Sequence, residues 1–160
     1  MKKKYLTKEK KEYYQTELLK AVNCTDPDWD LDEGLKDILF KINNNPNIQT
    51  ILSKRTDKIN YGNINSCSSY LHVSITKEFE NRLKLIAKAF EKKFTNDYFE
   101  LVVTTGPFNT KWDEKMDDMD AVNNVPKYTD ITMYMFYFTH DDLKEHNLFW
   151  DEIKSKLIWL

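Results

Sequence analysis

The sequence predicts an α+β fold in which a helical amino-terminal segment precedes a β-α-β-β-α unit. Two observations predict it. Before the polar stretch 54–69, apolar residues recur at helical spacing, and from Ser69 onward they alternate with polar residues, as in a strand. A chain of 160 residues fits one compact unit. We therefore expect residues 1–60 to pack as a helical segment on a β-α-β-β-α domain formed by residues 65–160.

The amino-terminal segment is expected to contain three helices. Thr7 is a suitable N-cap for a helix over residues 8–23. Asp30 or Asp32 can cap a second helix, and Pro46 stands where the first residue of a third, short helix would be. The second helix has an apolar stripe formed by Leu31, Leu35, Ile38, Leu39 and Ile42, and the third has Ile48 and Leu52 four residues apart.

The carboxyl half alternates between strand and helix patterns. Strands are expected at residues 69–75, 98–105 and 131–138, the last apolar on both sides. Thr76 can cap the helix between the first two strands, and Thr139 opens a capping-box pattern before the last helix. A strand-helix-strand connection is normally parallel and right-handed. We therefore expect a three-stranded mixed sheet, a partial ferredoxin-like arrangement, with helices packed on it.

Composition excludes several common classes of function. The net charge is −2, and the three glycines, at positions 34, 62 and 106, cannot form a glycine-rich phosphate loop. Cys24 and Cys67 are far apart and have no neighbours at metal-ligand spacing. Mean hydropathy is −0.69, and neither a signal peptide nor a membrane span is evident. We expect a soluble cytoplasmic protein that has no metal site and no cofactor.

An acidic segment lies between the second and third predicted strands. If it is helical, Trp112 shares one face with two methionines, while the carboxylates line the other. The segment lacks the glycine and terminal glutamate of a calcium loop, so a metal site is not expected. One interpretation is a solvated loop anchored by its tryptophan, and the other is a recognition loop for a basic protein surface. The candidate partner-binding residues are Trp112, Asp113, Glu114, Asp117, Asp118 and Asp120.

The predicted strand 71–75 carries His72 and Ser74, which point to the same face because they are two residues apart. This His-x-Ser pair resembles one half of the site in the two-histidine phosphoesterases. The resemblance implies a second, facing strand, because one imidazole acts as base and the other as acid. The matching position here is Asp130-Ile131-Thr132, where an aspartate replaces the histidine.

Three further features have competing interpretations. The lysines near the amino terminus suggest either a frayed terminus, which is the interpretation we favour, or a nucleic-acid contact. Cys67 is the more plausible reactive thiol of the two cysteines. Tyr70, Tyr134, Phe136 and Phe138 could offer a sheet face on which RNA bases stack.

The sequence thus favours a binding protein over an enzyme. The expected function is inhibition or neutralisation of another macromolecule, as in phage anti-defence (anti-CRISPR-like) inhibitors or toxin-immunity proteins. Its expected partner is a protein with a basic surface, such as a nuclease, and neither a membrane nor a direct nucleic-acid contact is expected. The alternatives are a degenerate phosphoesterase that uses His72 and Ser74, and an RNA-binding module.

Overall fold

The computed structural model describes residues 2–23, 33–56, 59, 67–95, 97–107 and 130–158, and it confirms the predicted α+β class. A 3₁₀ turn, Lys77–Phe79, leads into the helix that begins at Glu80. A π-helical turn, Lys154–Ile158, follows the helix that ends at Ile153. The elements in chain order are α1 (Lys8–Val22), α2 (Glu33–Asn43), β1 (Ile48–Lys54), β2 (Ser68–Ile75), α3 (Glu80–Lys93), β3 (Phe99–Pro107), β4 (Asp130–Thr139) and α4 (Leu143–Ile153).

The predicted third helix is a strand. β1 pairs antiparallel with β2, so that Ile48 lies opposite Ile75, and the register shifts once between Thr50 and Leu52. The four-residue spacing of Ile48 and Leu52 fits one face of a helix, but the register shift places Leu52 opposite His72, on the other face of the sheet from Ile48. Here the pairing with β2 satisfies the backbone of β1, and Ile48 and Thr50 become buried.

In the described part of the chain the sheet has four strands in the order β1-β2-β4-β3, and the pairings among them are antiparallel. The expected three-stranded mixed sheet is therefore wrong in detail. β2 and β3 both run antiparallel to β4, so they point in the same direction, as a crossover through α3 requires, but β4 lies between them. The unit β2-α3-β3 is thus a split β-α-β unit.

One face of the sheet carries the main core, which α2, α3 and α4 cover. Phe90 of α3 is fully buried, with its ring centroid 5.3 Å from that of Phe136 and 5.8 Å from that of Phe149. α2 shares this face with α3 and α4, because its apolar stripe belongs to the same core. The core residues of the sheet are Ile48, Leu71, Val73, Ile75, Phe99, Tyr134, Phe136 and Phe138.

The opposite face of the sheet packs against α1 at one end. Tyr14 of α1 lies against Ile131 and Met133 of β4. Thr7 caps α1 as predicted, since its hydroxyl accepts from the Lys10 amide at 3.3 Å. The cap of α4 is Asp142 and not Thr139, which is still part of β4. Within the described residues, no helix is long and apolar enough to cross a membrane.

The amino-terminal strap, residues 2–7, lies between the ends of β2 and β4. The ladder between these two strands ends at the pair formed by Val73 and Tyr134. Beyond that point the Leu6 amide donates to the Ile75 carbonyl at 2.8 Å, and the Thr132 amide donates to the Lys4 carbonyl at 2.9 Å. The strap therefore provides backbone partners where the two central strands separate.

Glu80, at the start of α3, fixes the strap from the helix side. Its Oε2 accepts from Lys3 Nζ at 2.7 Å, from the Tyr5 hydroxyl at 2.9 Å and from the Tyr134 hydroxyl at 3.0 Å. The hydrogen bond from Lys3, supported by those from the two tyrosines, lowers the pKa of Glu80 to about 2. The carboxylate thus links the strap, α3 and β4.

Candidate functional site

The predicted recognition segment lies outside the described residues, but both of its ends are defined. Pro107 of β3 and Asp130 of β4 are paired in register, as are Gly106 and Ile131. Residues 108–129 therefore leave and re-enter the sheet at adjacent points. Ordinary hairpin loops have roughly 2–5 residues, so this connection is exceptionally long. Trp112, Asp113, Glu114, Asp117, Asp118 and Asp120 all belong to it.

The amino-terminal segment holds the base of this connection, which is the end of the sheet where Pro107 is paired with Asp130. Lys10 Nζ donates to the Asp130 carbonyl at 2.7 Å, and Lys4 Nζ lies 3.6 Å from the Asp130 carboxylate. The Lys4 amide donates to Thr132 Oγ1 at 2.7 Å, and this hydroxyl is 2.6 Å from that of Thr105 on β3. The base is therefore fixed to both strands and to the strap.

The amino-terminal lysines have a different role from either one considered in the sequence analysis. Lys3, Lys4 and Lys10 make the contacts given above. Lys11 Nζ donates to the carbonyls of Asn43 and Ile48 and to the side-chain oxygen of Gln49, and burial lowers its pKa to about 8. The expectation of a frayed terminus is wrong, because these lysines hold the segment against the fold.

The structure does not bring together the two halves of the phosphoesterase-like pattern. His72 lies between Leu71 and Val73, which both point into the main core, so its own side chain is on the opposite face. Thr132 is two residues before the core residue Tyr134 in an uninterrupted ladder, which places it on the core side. His72 and Thr132 therefore occupy opposite faces and share no groove.

The aromatic residues considered for RNA stacking are also divided between the two faces. Tyr134, Phe136 and Phe138 belong to the buried core, whereas Tyr70 lies on the opposite face. There it is paired with Tyr137 of β4, and both tyrosines are half-buried. The stacking surface predicted from the sequence does not exist, but a different aromatic group occurs on the second face.

We call Tyr70, His72 and Tyr137 the sheet-face cluster. The imidazole is stacked on the Tyr70 ring, with centroids 4.8 Å apart and planes inclined by 27°, and it meets the Tyr137 ring edge-on at 5.2 Å. Only 5% of His72 is exposed, and this burial lowers its pKa to about 4. Neither ring nitrogen has a hydrogen-bond partner among the described residues, nor does the buried hydroxyl of Ser74.

A buried serine–histidine pair was not anticipated from the sequence. Ser69 Oγ lies 2.8 Å from His146 Nδ1, and His146 Nε2 lies 2.8 Å from the His140 carbonyl. Because a carbonyl only accepts, the proton is on Nε2 and the serine donates to Nδ1. Both side chains are completely buried, so the pair links β2 to α4. The sequence feature that could have predicted this pair is Ser69, a serine on the core side of a predicted strand.

Cys67, the proposed reactive thiol, is half-buried directly before β2, and its carbonyl accepts from the His140 amide at 3.0 Å. Cys24 lies outside the described residues. Across the described ranges, no three histidine, cysteine or acidic side chains are grouped in a way that could hold a metal ion.

An open groove of about 540 Å³ lies beside the turn between α2 and β1. Its polar lining comes from Lys41, Arg82 and the asparagines of the turn. Two of those asparagines hold the turn itself, since Asn45 Oδ1 accepts from the Asn47 amide at 2.9 Å and Asn47 Oδ1 accepts from the Thr76 hydroxyl at 2.8 Å. Asn45 and Asn47 thus stabilise the turn at this corner.

Two surfaces therefore stand out at opposite ends of β4: the base of the acidic connection at Asp130 and the sheet-face cluster around Tyr137. Seven residues of strand separate them, which corresponds to roughly 23 Å. Comparison with known protein families, with characterised proteins and with solved structures finds no match to this chain.

Proposed function

We propose that the protein is a small binding protein that blocks or neutralises another macromolecule, and that residues 108–129 form its recognition segment. The observation that carries the proposal is the length of this connection together with its fixed base. Long connections within compact domains are uncommon and are often functional. A base held by hydrogen bonds to Asp130 and Thr132 supports this interpretation, because it limits the entropy lost when the segment binds.

The composition of the segment indicates the chemistry of the partner. Trp112 supplies a large amphipathic side chain of the type enriched at interface hot spots. Asp113, Glu114, Asp117, Asp118 and Asp120 supply five carboxylates within eight positions. Clustered carboxylates complement a surface rich in arginine and lysine and accelerate association with it. A nuclease or another nucleic-acid-binding protein has such a surface.

This partner class suits an inhibitor that occupies a nucleic-acid-binding surface. A phage-encoded inhibitor of host defence, of the anti-CRISPR kind, and a toxin-immunity protein both act in this way. Catalysis by His72 and Ser74 has less support, because Thr132 is on the other face of the sheet. We therefore propose binding, without catalysis, as the activity.

The proposal is tested by reversing the charge of Asp113, Glu114, Asp117 and Asp118. Tagged wild-type protein is used to capture its partner from a lysate of the native host or of phage-infected cells, and the affinity for the purified partner is then measured by titration calorimetry. We expect the reversed variant to bind at least tenfold more weakly, because it would repel a basic surface. A recognition segment predicts a change in stability of only about 0.5 kcal/mol per substitution, because its carboxylates serve the partner and not the core.

A matched control keeps the total charge change the same. Reversal of the exposed carboxylates Glu12, Glu78, Glu91 and Asp97 alters the net charge equally without touching the segment. If both variants bind the partner equally weakly, the effect comes from net charge alone. If the segment variant binds with unchanged affinity, the segment is not part of the interface. Trp112→Ala provides a second variant, for which we expect roughly fivefold weaker binding or more.

A further inference from the structure

β3 is an edge strand, and its outward main-chain groups have no partner in the described part of the chain. The Phe99 amide donates to the Thr95 carbonyl at 3.0 Å instead of to β4. Successive residues of an antiparallel strand direct their N–H and C=O groups alternately towards and away from one neighbour. Leu101, Val103 and Thr105 therefore direct these groups outward, where no hydrogen bond to them is found among the described residues.

The side chains of β3 leave this edge open to another strand. Val103 is paired with the core residue Tyr134, so it lies on the face that carries the helices, and yet it is 36% exposed. α3 therefore does not extend over the edge at this point. Leu101 is half-buried against the main core, and the one charged side chain of the strand, Glu100, lies on the second face.

β1, at the other edge of the described sheet, is protected by contrast. Lys11 Nζ donates to the Ile48 carbonyl, and Asn43 Oδ1 accepts from the Thr50 amide at 2.8 Å. The register shift after Thr50 also interrupts the regular edge. Irregularities and lysines of this kind are the means by which proteins prevent unwanted strand pairing. β3 keeps a regular register over its full length and contains no lysine, so it is the edge to which a strand can be added.

The sequence of β3 is complementary to itself. If two copies of the strand pair antiparallel about a two-fold axis at Val103, this valine faces the same valine of the second copy, and Leu101 faces Thr105. Outward amides then meet outward carbonyls. Glu100 faces Gly106, so the pairing brings no like charges together, which would otherwise destabilise it.

The ends of this pairing are matched as well. Pro107, which has no N–H group, would face Phe99, whose amide is already bonded to Thr95. No amide of β3 is therefore left without an acceptor at these ends.

We propose that the protein forms a homodimer in which the β3 strands of two copies pair antiparallel, so that the two four-stranded sheets continue into one another. The contact is isologous, because the same patch is used on both copies. It also closes at two copies, since the outer edges of the combined sheet are the protected β1 strands.

The dimer would place the bases of the two acidic connections at opposite ends of the paired β3 strands. Pro107 of each copy would lie beside Phe99 of the other, so eight residues of strand, roughly 27 Å, separate the two bases. Two recognition segments in one molecule bind a repeated or two-fold symmetric partner more tightly than one does. This consequence rests on the proposed function of residues 108–129, whereas the dimer itself does not and is measured without any partner.

The test is sedimentation velocity of the full chain over a range of concentrations up to millimolar, where we expect a monomer–dimer equilibrium. Val103→Lys should raise the dissociation constant roughly tenfold or more, because the two introduced ammonium groups would face each other across the axis. Leu52→Lys is the matched control, since it introduces the same charge at a 41% exposed apolar residue of the other edge strand. It should leave the dissociation constant unchanged.

A mixture of two variants tests the register. Val103→Glu should also fail to dimerise by itself, because two carboxylates would meet at the axis. Mixed with Val103→Lys, it should form a heterodimer in which opposite charges face each other. A variant that simply fails to fold would not regain association in the mixture.

Amide hydrogen exchange of the wild-type protein provides a second measurement. The amides of Leu101, Val103 and Thr105 should exchange more slowly as the concentration rises, whereas those of Val102 and Thr104, which face β4, should be protected at every concentration. The proposal is overturned if the chain stays monomeric, if the outward amides are protected equally at all concentrations, or if the two variants of Val103 do not associate when mixed. A dimer that Leu52→Lys weakens as much as Val103→Lys would also overturn it.

Discussion

At the scale of single residues, His72 is the most unusual side chain of the described structure. It is buried without hydrogen bonds from its ring nitrogens, and desolvation holds its pKa at about 4, well below the ordinary value of 6.5. His146 is also buried, but both of its nitrogens lie at hydrogen-bonding distance from oxygens. His146 therefore stabilises the fold through hydrogen bonds, whereas the ring nitrogens of His72 form none within the described residues.

We expect His72 to make the protein acid-sensitive. Its pKa is lower in the folded chain than in the unfolded chain, so the unfolded chain takes up the proton first. The stability is complete above pH 6.5 and falls as the pH decreases towards 4, by about 3 kcal/mol from this residue. Urea unfolding between these pH values should show that His72→Phe lacks this part of the decrease.

His140→Asn is a suitable control, because it replaces a half-buried histidine after β4 whose ring is outside the sheet-face cluster. It should retain the acid-dependent decrease in stability of the wild-type protein. If His72→Phe and the wild-type protein lose stability in parallel between pH 6.5 and 4, protonation of His72 does not limit stability.

At the scale of secondary-structure elements, the amino-terminal strap shows how an irregular segment becomes part of a sheet. It forms main-chain hydrogen bonds to Ile75 and Thr132, while Lys3 and Tyr5 bind the carboxylate of Glu80. The segment has no periodic pattern that would reveal these contacts in the sequence. Its position depends on the gap between β2 and β4, which is a property of the assembled sheet.

We expect Glu80→Gln to loosen the strap. The neutral amide loses the ion pair with Lys3, and hydrogen bonds to a charged group contribute about 1.5–3 kcal/mol. The variant should have a lower free energy of unfolding at pH 7. The amides of Leu6 and Thr132 should also exchange faster with solvent, because their acceptors are held by the strap or lie beside it.

Glu78→Gln is the matched control, since Glu78 is exposed and lies two residues away. The stabilisation from Glu80 should be present above pH 4.5 and decline as the pH falls towards 2, because folding lowers the pKa of its carboxyl group. Unchanged amide exchange in Glu80→Gln would show that the strap is held by its backbone contacts alone.

At the scale of the whole molecule, the amino-terminal residues are an integral part of the sheet. β1 covers one side of β2, and α2 contributes Leu35, Ile38 and Ile42 to the main core. The division into a helical segment (1–60) and a carboxyl domain (65–160) remains a prediction. The contacts described here indicate that the two parts depend on one another.

We expect the fragment 65–160 not to unfold cooperatively by itself. Without residues 1–60, the outer edge of β2 is unpaired, Ile75 loses its partner Ile48, and the main core loses the side chains of α2. Circular dichroism and urea unfolding of the fragment would measure this. Fragments 1–60 and 61–160 produced together provide the control, and they should reassemble. A sharp transition with native helix content in the isolated fragment would contradict the prediction.

The sequence by itself determined the elements whose residues follow one period over a sufficient length. These are α1, α2, α3, α4, β2 and β4, and together they predict the α+β class. A covered helix or strand face requires apolar residues at a fixed spacing, and that spacing can be read directly. The sequence pattern was insufficient for β1, because Ile48 and Leu52 have helical spacing and the register shift that places them on opposite faces of the strand cannot be read from the sequence.

Only the tertiary structure decided which residues meet across elements. It separated His72 from Thr132, buried three of the four proposed stacking aromatics, paired Ser69 with His146 and assembled Tyr70, His72 and Tyr137. These groupings depend on strand order and register, and in a sheet a shift of one residue moves every side chain to the other face. Periodicity along the chain carries no information about that choice, so the chemical neighbours of each residue are fixed only when the strands pair.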